Sequence, residues 1–133
     1  AQKLARQAHA KLIKRTDLKK LTFDVIINAT PVGMDGKASP LELKEINARF
    51  VLDMIYQVPE TRFTMLARSK GVGVCSGTEM FVQQGARQFE IGTGNLATVA
   101  DMRNAVLRAL EQRAENAEKE KSHNGKASNN GNA

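Results

Sequence analysis

Phe23-Asp24-Val25-Ile26-Ile27-Asn28, running straight into Ala29-Thr30-Pro31-Val32-Gly33-Met34, is the stretch that decides the fold class. Its first six residues are rich in β-branched side chains and almost continuously apolar, a pattern that suits a parallel strand covered on both faces. Pro31 and Gly33 then enforce a loop. Downstream, Phe50-Val51-Leu52-Asp53-Met54-Ile55-Tyr56 reads as a second strand ending at Gln57-Val58-Pro59, and Gly71-Val72-Gly73-Val74-Cys75 as a short third.

The segments between the strands have helical signals. Ser39-Pro40-Leu41-Glu42 has the form of a capping box with proline at the first helical position, predicting a short helix over 40–48. Residues 60–70 place Phe63, Leu66 and Ala67 on one face, with Gly71 as the C-cap. A further helix is expected from Thr78 to Ile91, broken by Gly92-Thr93-Gly94. The last helix opens at Thr98, with Val99, Met102, Val106 and Leu110 as its apolar stripe. Upstream, residues 1–10 have helical spacing but no cap. From Lys119 the sequence is almost free of apolar side chains, so residues 119–133 are expected to be a disordered tail after one unit over 1–118. Alternating strands and helices define an α/β fold with a parallel sheet, one half of a doubly wound nucleotide-binding domain. The G-x-G-x-x-G turn of the pyrophosphate-binding half does not occur in the chain.

Composition narrows the function classes. The 133 residues suit one domain, and 41% hydrophobic residues allow a modest core. No apolar run is long enough to span a membrane, and the N-terminus lacks the apolar block of a secretory signal. The single cysteine, Cys75, cannot form an internal disulfide, which points to a cytoplasmic location and to buried packing rather than nucleophilic chemistry. The net charge of +6 is spread along the chain and is not interleaved with aromatics, so no nucleic-acid partner is expected. His9 and His123 lack the neighbours of a metal site, and none is assigned.

Three segments add a resemblance. Asp24 through Met34 resembles the D-x-I-I-N-A-T-P-x-G-M segment of shikimate dehydrogenases. Asp53-Met54-Ile55-Tyr56, with Glu60-Thr61 shortly after Pro59, resembles their D-M-x-Y…P-x-x-T stretch. Ser76 through Ala86 is similar to their G-x-x-M-x-x-x-Q-(A/G)-A helix start. The three lie in register over residues 1–112. Glu79 stands where many single-function members have Gly, a form that resembles the bifunctional proteins fused to a 3-dehydroquinate dehydratase.

The resemblance implies the C-terminal half of a Rossmann-like NADP-binding domain with its C-terminal helices. It implies an enzyme that interconverts 3-dehydroshikimate and shikimate by hydride transfer, in the shikimate pathway of aromatic amino acid biosynthesis. It implies that Thr30, Met54 and Gly77 border the cofactor and that Tyr56 and Gln84 contact shikimate. The family's proton-transferring Lys and Asp, its glycine-rich turn and its N-R-T segment are not found in this sequence. The chain is therefore expected to be a C-terminal fragment, inactive alone, whose partner is the missing N-terminal part of the same protein. A non-catalytic binding or assembly module is the alternative.

The residues also carry readings of their own. A glycine at position 77 lets backbone approach a flat ring, or simply makes a strand-to-helix turn. Tyr56, the only tyrosine, offers a hydroxyl to a polyol, or is a core aromatic. Gln84 lies on a mostly apolar helix stripe with Met80, Phe81, Gln88 and Ile91, so its amide requires a partner, either substrate or backbone. Asp24 and Asp53 read as structural strand residues rather than a carboxylate pair.

Overall fold

The structure, a computed structural model, describes residues 1–127. Three parallel strands, β1 (Phe23–Asn28), β2 (Ala48–Asp53) and β3 (Gly73–Cys75), form a sheet in the order β1-β2-β3. The helices are α1 (Gln2–Gln7), α2 (Arg62–Ser69), α3 (Gly77–Thr93) and α4 (Val99–Ala127). The expected α/β architecture with parallel strands is present, and β1 spans the residues that the apolar run marks out.

Local chemistry explains most boundaries. The Thr61 hydroxyl accepts from the Thr64 N–H, and the Thr64 hydroxyl accepts from the Thr61 N–H, so α2 starts at a reciprocal cap. Helix α2 ends at Ser69 with Lys70 as its C-cap, followed by Gly71 at φ +75°, a left-handed conformation that only glycine adopts freely. At the start of α3 the Ser76 hydroxyl accepts from the Glu79 N–H.

The expected helix over 40–48 is not there. Only a 3₁₀ turn forms, at Leu43–Glu45, because the capping box sits one turn later than the sequence suggests. Glu42 is its N-cap, and the Glu42 N–H donates to the Glu45 carboxylate, while the Ser39 hydroxyl donates to the Leu41 carbonyl. Arg15 also donates twice to Glu45, at 2.9 and 2.7 Å, joining two turns 30 residues apart. With β2 starting at Ala48, no room remains for a full helix. At the other end, α4 continues through Ala127, past the expected start of the tail. Each added residue in an established helix forms one more backbone bond, and the Ala, Glu and Lys after Arg113 propagate helix well. Residues 128–133 of that expected tail lie outside the described residues.

One face of the sheet holds the core. Ile46, Val51, Phe63 and Ala67 are buried together, with Ile26, Leu41, Leu66, Val72 and Val74 packed against them, so α2 covers the face bearing Ile26, Val51 and Val74. The registers Val25↔Phe50↔Gly73 and Ile27↔Leu52↔Cys75 define the opposite face. There Val25, Ile27 and Phe50 are 49%, 56% and 53% exposed, and Cys75 is exposed as well. This corrects two expectations. β1 is covered on one face rather than both, and Cys75 is not buried. The apolar run reports that a strand is made for burial, but its cover comes from residues elsewhere, and none of the described ones supplies it. Among the described residues β1 is also one of the two edge strands of the sheet, flanked by a groove of about 320 Å³ that Ile13, Leu18, Phe23, Ile27 and Pro40 help to line.

Candidate functional site

The carboxyl ends of parallel strands leave an open crevice, the usual ligand position in such sheets. Here that end is organised by a buried polar network. Asp53, fully buried at the end of β2, accepts from the Asn28 amide at 3.1 Å, the Ile55 N–H at 3.1 Å and the Thr61 hydroxyl at 2.6 Å. Three neutral donors satisfy a carboxylate that would otherwise be costly to bury. Asn28 in turn donates to the Val32 carbonyl and accepts from both the N–H and the hydroxyl of Thr30, at 3.1 and 2.7 Å. One chain of hydrogen bonds thus ties the loop after β1, the end of β2 and the cap of α2.

Thr30 and Met54 both bond to Asn28, Thr30 to its side chain and Met54 to its backbone. Thr30 is exposed on the loop after β1, and the Met54 N–H donates to the Asn28 carbonyl, so both positions sit at neighbouring strand ends. The Met54 side chain is exposed there. Gly77 is beside them but buried. A Cβ at Gly77 would overlap the Ile55 carbonyl and crowd the Asp53 carbonyl. The glycine is therefore required by the packing of α3 on the end of β2, a reason different from the approach of a ring.

Tyr56 and Gln84 both lie on the surface. The Tyr56 ring is 37% exposed and stacks on Phe81 of α3 with ring centroids 4.8 Å apart and planes within 9°. Gln84 is exposed, so the requirement of a buried amide for a partner does not apply; the apolar stripe it shares is itself solvent-facing at Phe81 and Ile91. Gln83 instead donates to Glu79, at 2.8 Å. Asp24 and Asp53 do not pair: Asp24 faces solvent beside Arg49, 3.9 Å away, and Asp53 belongs to the network.

Glu79 anchors the start of α3. Arg103 of α4 donates to both of its carboxylate oxygens, at 3.0 and 2.7 Å. The Arg103 hydrogen bonds, then the one from Gln83, hold the Glu79 carboxyl below its usual range. Asn28, Thr61 and Phe81 lie inside the motifs already quoted but were given no site role there, and Arg103 lies outside them; nothing local marks Phe81 as the partner of Tyr56 or Arg103 as that of Glu79. No helix among the described residues is long and apolar enough to cross a membrane, and no three His, Cys, Asp or Glu side chains there gather as metal ligands.

The fold and strand-end crevice define a piece of a doubly wound, Rossmann-like nucleotide-binding domain. A family described as the shikimate 5'-dehydrogenase C-terminal domain matches residues 77–107. The shikimate dehydrogenase (NADP(+)) of Microcystis aeruginosa is 39% identical over 93 residues, 65% of this chain and 32% of that protein. That of Archaeoglobus fulgidus is 39% identical over 101 residues, 74% of this chain and 38% of that protein. The Thermus thermophilus shikimate 5-dehydrogenase, solved in complex with NADP(H) and shikimate, superposes with a TM-score of 0.70 at 32% identity, covering 82% of this chain and 42% of that one. The chain thus resembles the C-terminal part of shikimate dehydrogenases over most of its own length. It spans only about a third of the length of these curated relatives.

Proposed function

We propose that this chain forms the C-terminal half of the cofactor and substrate surface of an NADP-dependent shikimate dehydrogenase. What supports the reading is the strand-end crevice, where Thr30 bonds to the Asn28 side chain, the Met54 N–H bonds to the Asn28 carbonyl, and Tyr56 lies open against Phe81 of α3. These residues fit a flat cofactor ring. Met54 offers an exposed apolar surface, Thr30 a polar rim, and Gly77 lets α3 close against β2 so that both reach the crevice. When bound, NADP supplies the hydride acceptor or donor for the shikimate–3-dehydroshikimate pair.

Tyr56 and Gln84 are assigned to shikimate, where a phenol and an amide can each pair with hydroxyl or carboxylate oxygens. The chain's own residues orient the two ligands; proton transfer and pyrophosphate binding require groups that the described residues do not offer. The reading therefore includes an inactive isolated chain whose open face and free β1 edge are completed by the remaining two-thirds of the family's fold. Glu79, in the form that resembles the dehydratase-fused proteins, is compatible with either a single-function or a fused parent.

Grafting this chain into the Archaeoglobus fulgidus enzyme, in place of the part it matches, tests the proposal. The chimera is expected to reduce NADP⁺ with shikimate, and Tyr56→Phe or Gln84→Ala in it to lower kcat/KM for shikimate by about tenfold or more, roughly 1.4 kcal/mol per tenfold. A folded chimera that binds NADP⁺ but is indifferent to both substitutions would remove Tyr56 and Gln84 from the substrate site.

A further inference from the structure

We propose that Phe81 is the positioning residue that orients Tyr56, an inference that rests on the reading of Tyr56 as a shikimate contact. Tyr56 follows β2 on an irregular segment, so backbone hydrogen bonding in the sheet does not fix its ring. Phe81 supplies a fixed plane instead. The two rings are stacked with centroids 4.8 Å apart and 9° between planes, an offset arrangement that favours one orientation of the phenol.

The placement of Phe81 is itself determined by packing. Gly77 lies four residues before it, on the same helix face, and its missing Cβ lets α3 press on the Asp53 and Ile55 carbonyls at the end of β2. The next turn on that face therefore arrives beside the residue that follows Ile55. Three residues further along α3 comes Gln84, again a neighbour on the helix surface. Phe81 thus stands between the two proposed shikimate ligands and sets where the Tyr56 hydroxyl lies relative to the Gln84 amide. Both rings are little more than one-third exposed, so neither is a core residue held from all sides. An aliphatic side chain at position 81 would cover the phenol without setting its plane.

Tyr56 is the only tyrosine of a chain without tryptophan, so near-ultraviolet circular dichroism and intrinsic fluorescence of the full 133-residue chain report on this ring. Phe81→Leu is expected to remove most of the tyrosine dichroism and to increase quenching of its fluorescence by acrylamide, with the far-ultraviolet spectrum preserved. Phe89→Ala, at an exposed phenylalanine of the same helix, should leave the tyrosine signals as they are. Unchanged tyrosine dichroism in folded Phe81→Leu overturns the proposal. Titrating shikimate into the same samples separates it from the reading beneath it. Quenching of Tyr56 by shikimate in the original chain, weakened roughly tenfold in Phe81→Leu, supports both. An equal response in the two chains overturns the role of Phe81. Loss of dichroism in Phe81→Leu, together with an unchanged kcat/KM for shikimate when Tyr56→Phe is made in the Archaeoglobus fulgidus chimera, upholds the orienting contact and counts against the substrate assignment of Tyr56.

Discussion

The two faces of the sheet are built from the same strands and nearly the same residue types, yet they have opposite surroundings. On one, Ile26, Val51 and Val74 meet Phe63 and Ala67 of α2; on the other, Val25, Ile27 and Phe50 remain open to solvent. The difference teaches that an apolar strand residue stabilises a fold only through what covers it. Burial of a large side chain is worth roughly 1.5–3 kcal/mol, and an uncovered one contributes little of that.

The largest expected effect follows from this contrast. Phe63→Ala removes a fully buried ring from the covered face and should destabilise the chain by about 3–5 kcal/mol, or unfold it. Phe50→Ala on the open face should cost less than about 1 kcal/mol in this chain alone. Denaturant midpoints of the two variants check the comparison, and equal losses would show the open face to be covered in solution. In a completed enzyme the two values should converge.

A smaller effect separates two glycines of α3. Gly77→Ala places a Cβ against the Ile55 and Asp53 carbonyls, which cannot yield as a side-chain tip does, and should lower the melting temperature clearly. Gly85→Ala meets nothing within 4 Å and should raise stability by about 0.5–1 kcal/mol, since alanine is the better helix former. Opposite signs for two identical substitutions eight residues apart sharpen the idea that the start of α3 is set by contact with β2.

The smallest effect concerns the ion pair between α3 and α4. Arg103 keeps the Glu79 carboxyl below its ordinary value of 4.5, so the stability this pair contributes is fully present above pH 4.5 and is lost as the pH falls through the lower folded value. Both side chains are about two-fifths exposed, so solvent screening keeps the contribution of the pair small. Glu79→Gln should therefore lower the melting temperature slightly at neutral pH and not at all in strong acid. A difference that persists at low pH or in high salt would show that packing, not charge, joins the two helices.

Much of the strand-end arrangement was legible because its signals are local. The loop after β1, the Thr61 and Ser76 positions that open the helices, and the Met54, Tyr56 and Gln84 positions all lie in short motifs that keep their order and spacing. The partners were not legible. Asn28 reaches Asp53 across 25 residues, Arg103 reaches Glu79 across 24, and Arg15 reaches Glu45 across 30. Neither side of such a bond constrains the residue types next to it, so no periodicity or cap betrays it. Gln84 lies on a mostly apolar stripe in the sequence and proves exposed, because periodicity marks a face without saying what covers it.

The amino-acid sequence by itself determined the α/β alternation, the extent of β1, the glycine-stopped α2 and the apolar stripe of α4. These depend on backbone hydrogen bonds and side-chain periodicity within a few residues. The tertiary structure alone decided which face of the sheet α2 covers, that residues 40–48 make only a 3₁₀ turn, and that Gly77 is needed for contact between helix and strand. Those outcomes depend on the close packing of segments remote in sequence, where one carbonyl or one ring in the way changes the result.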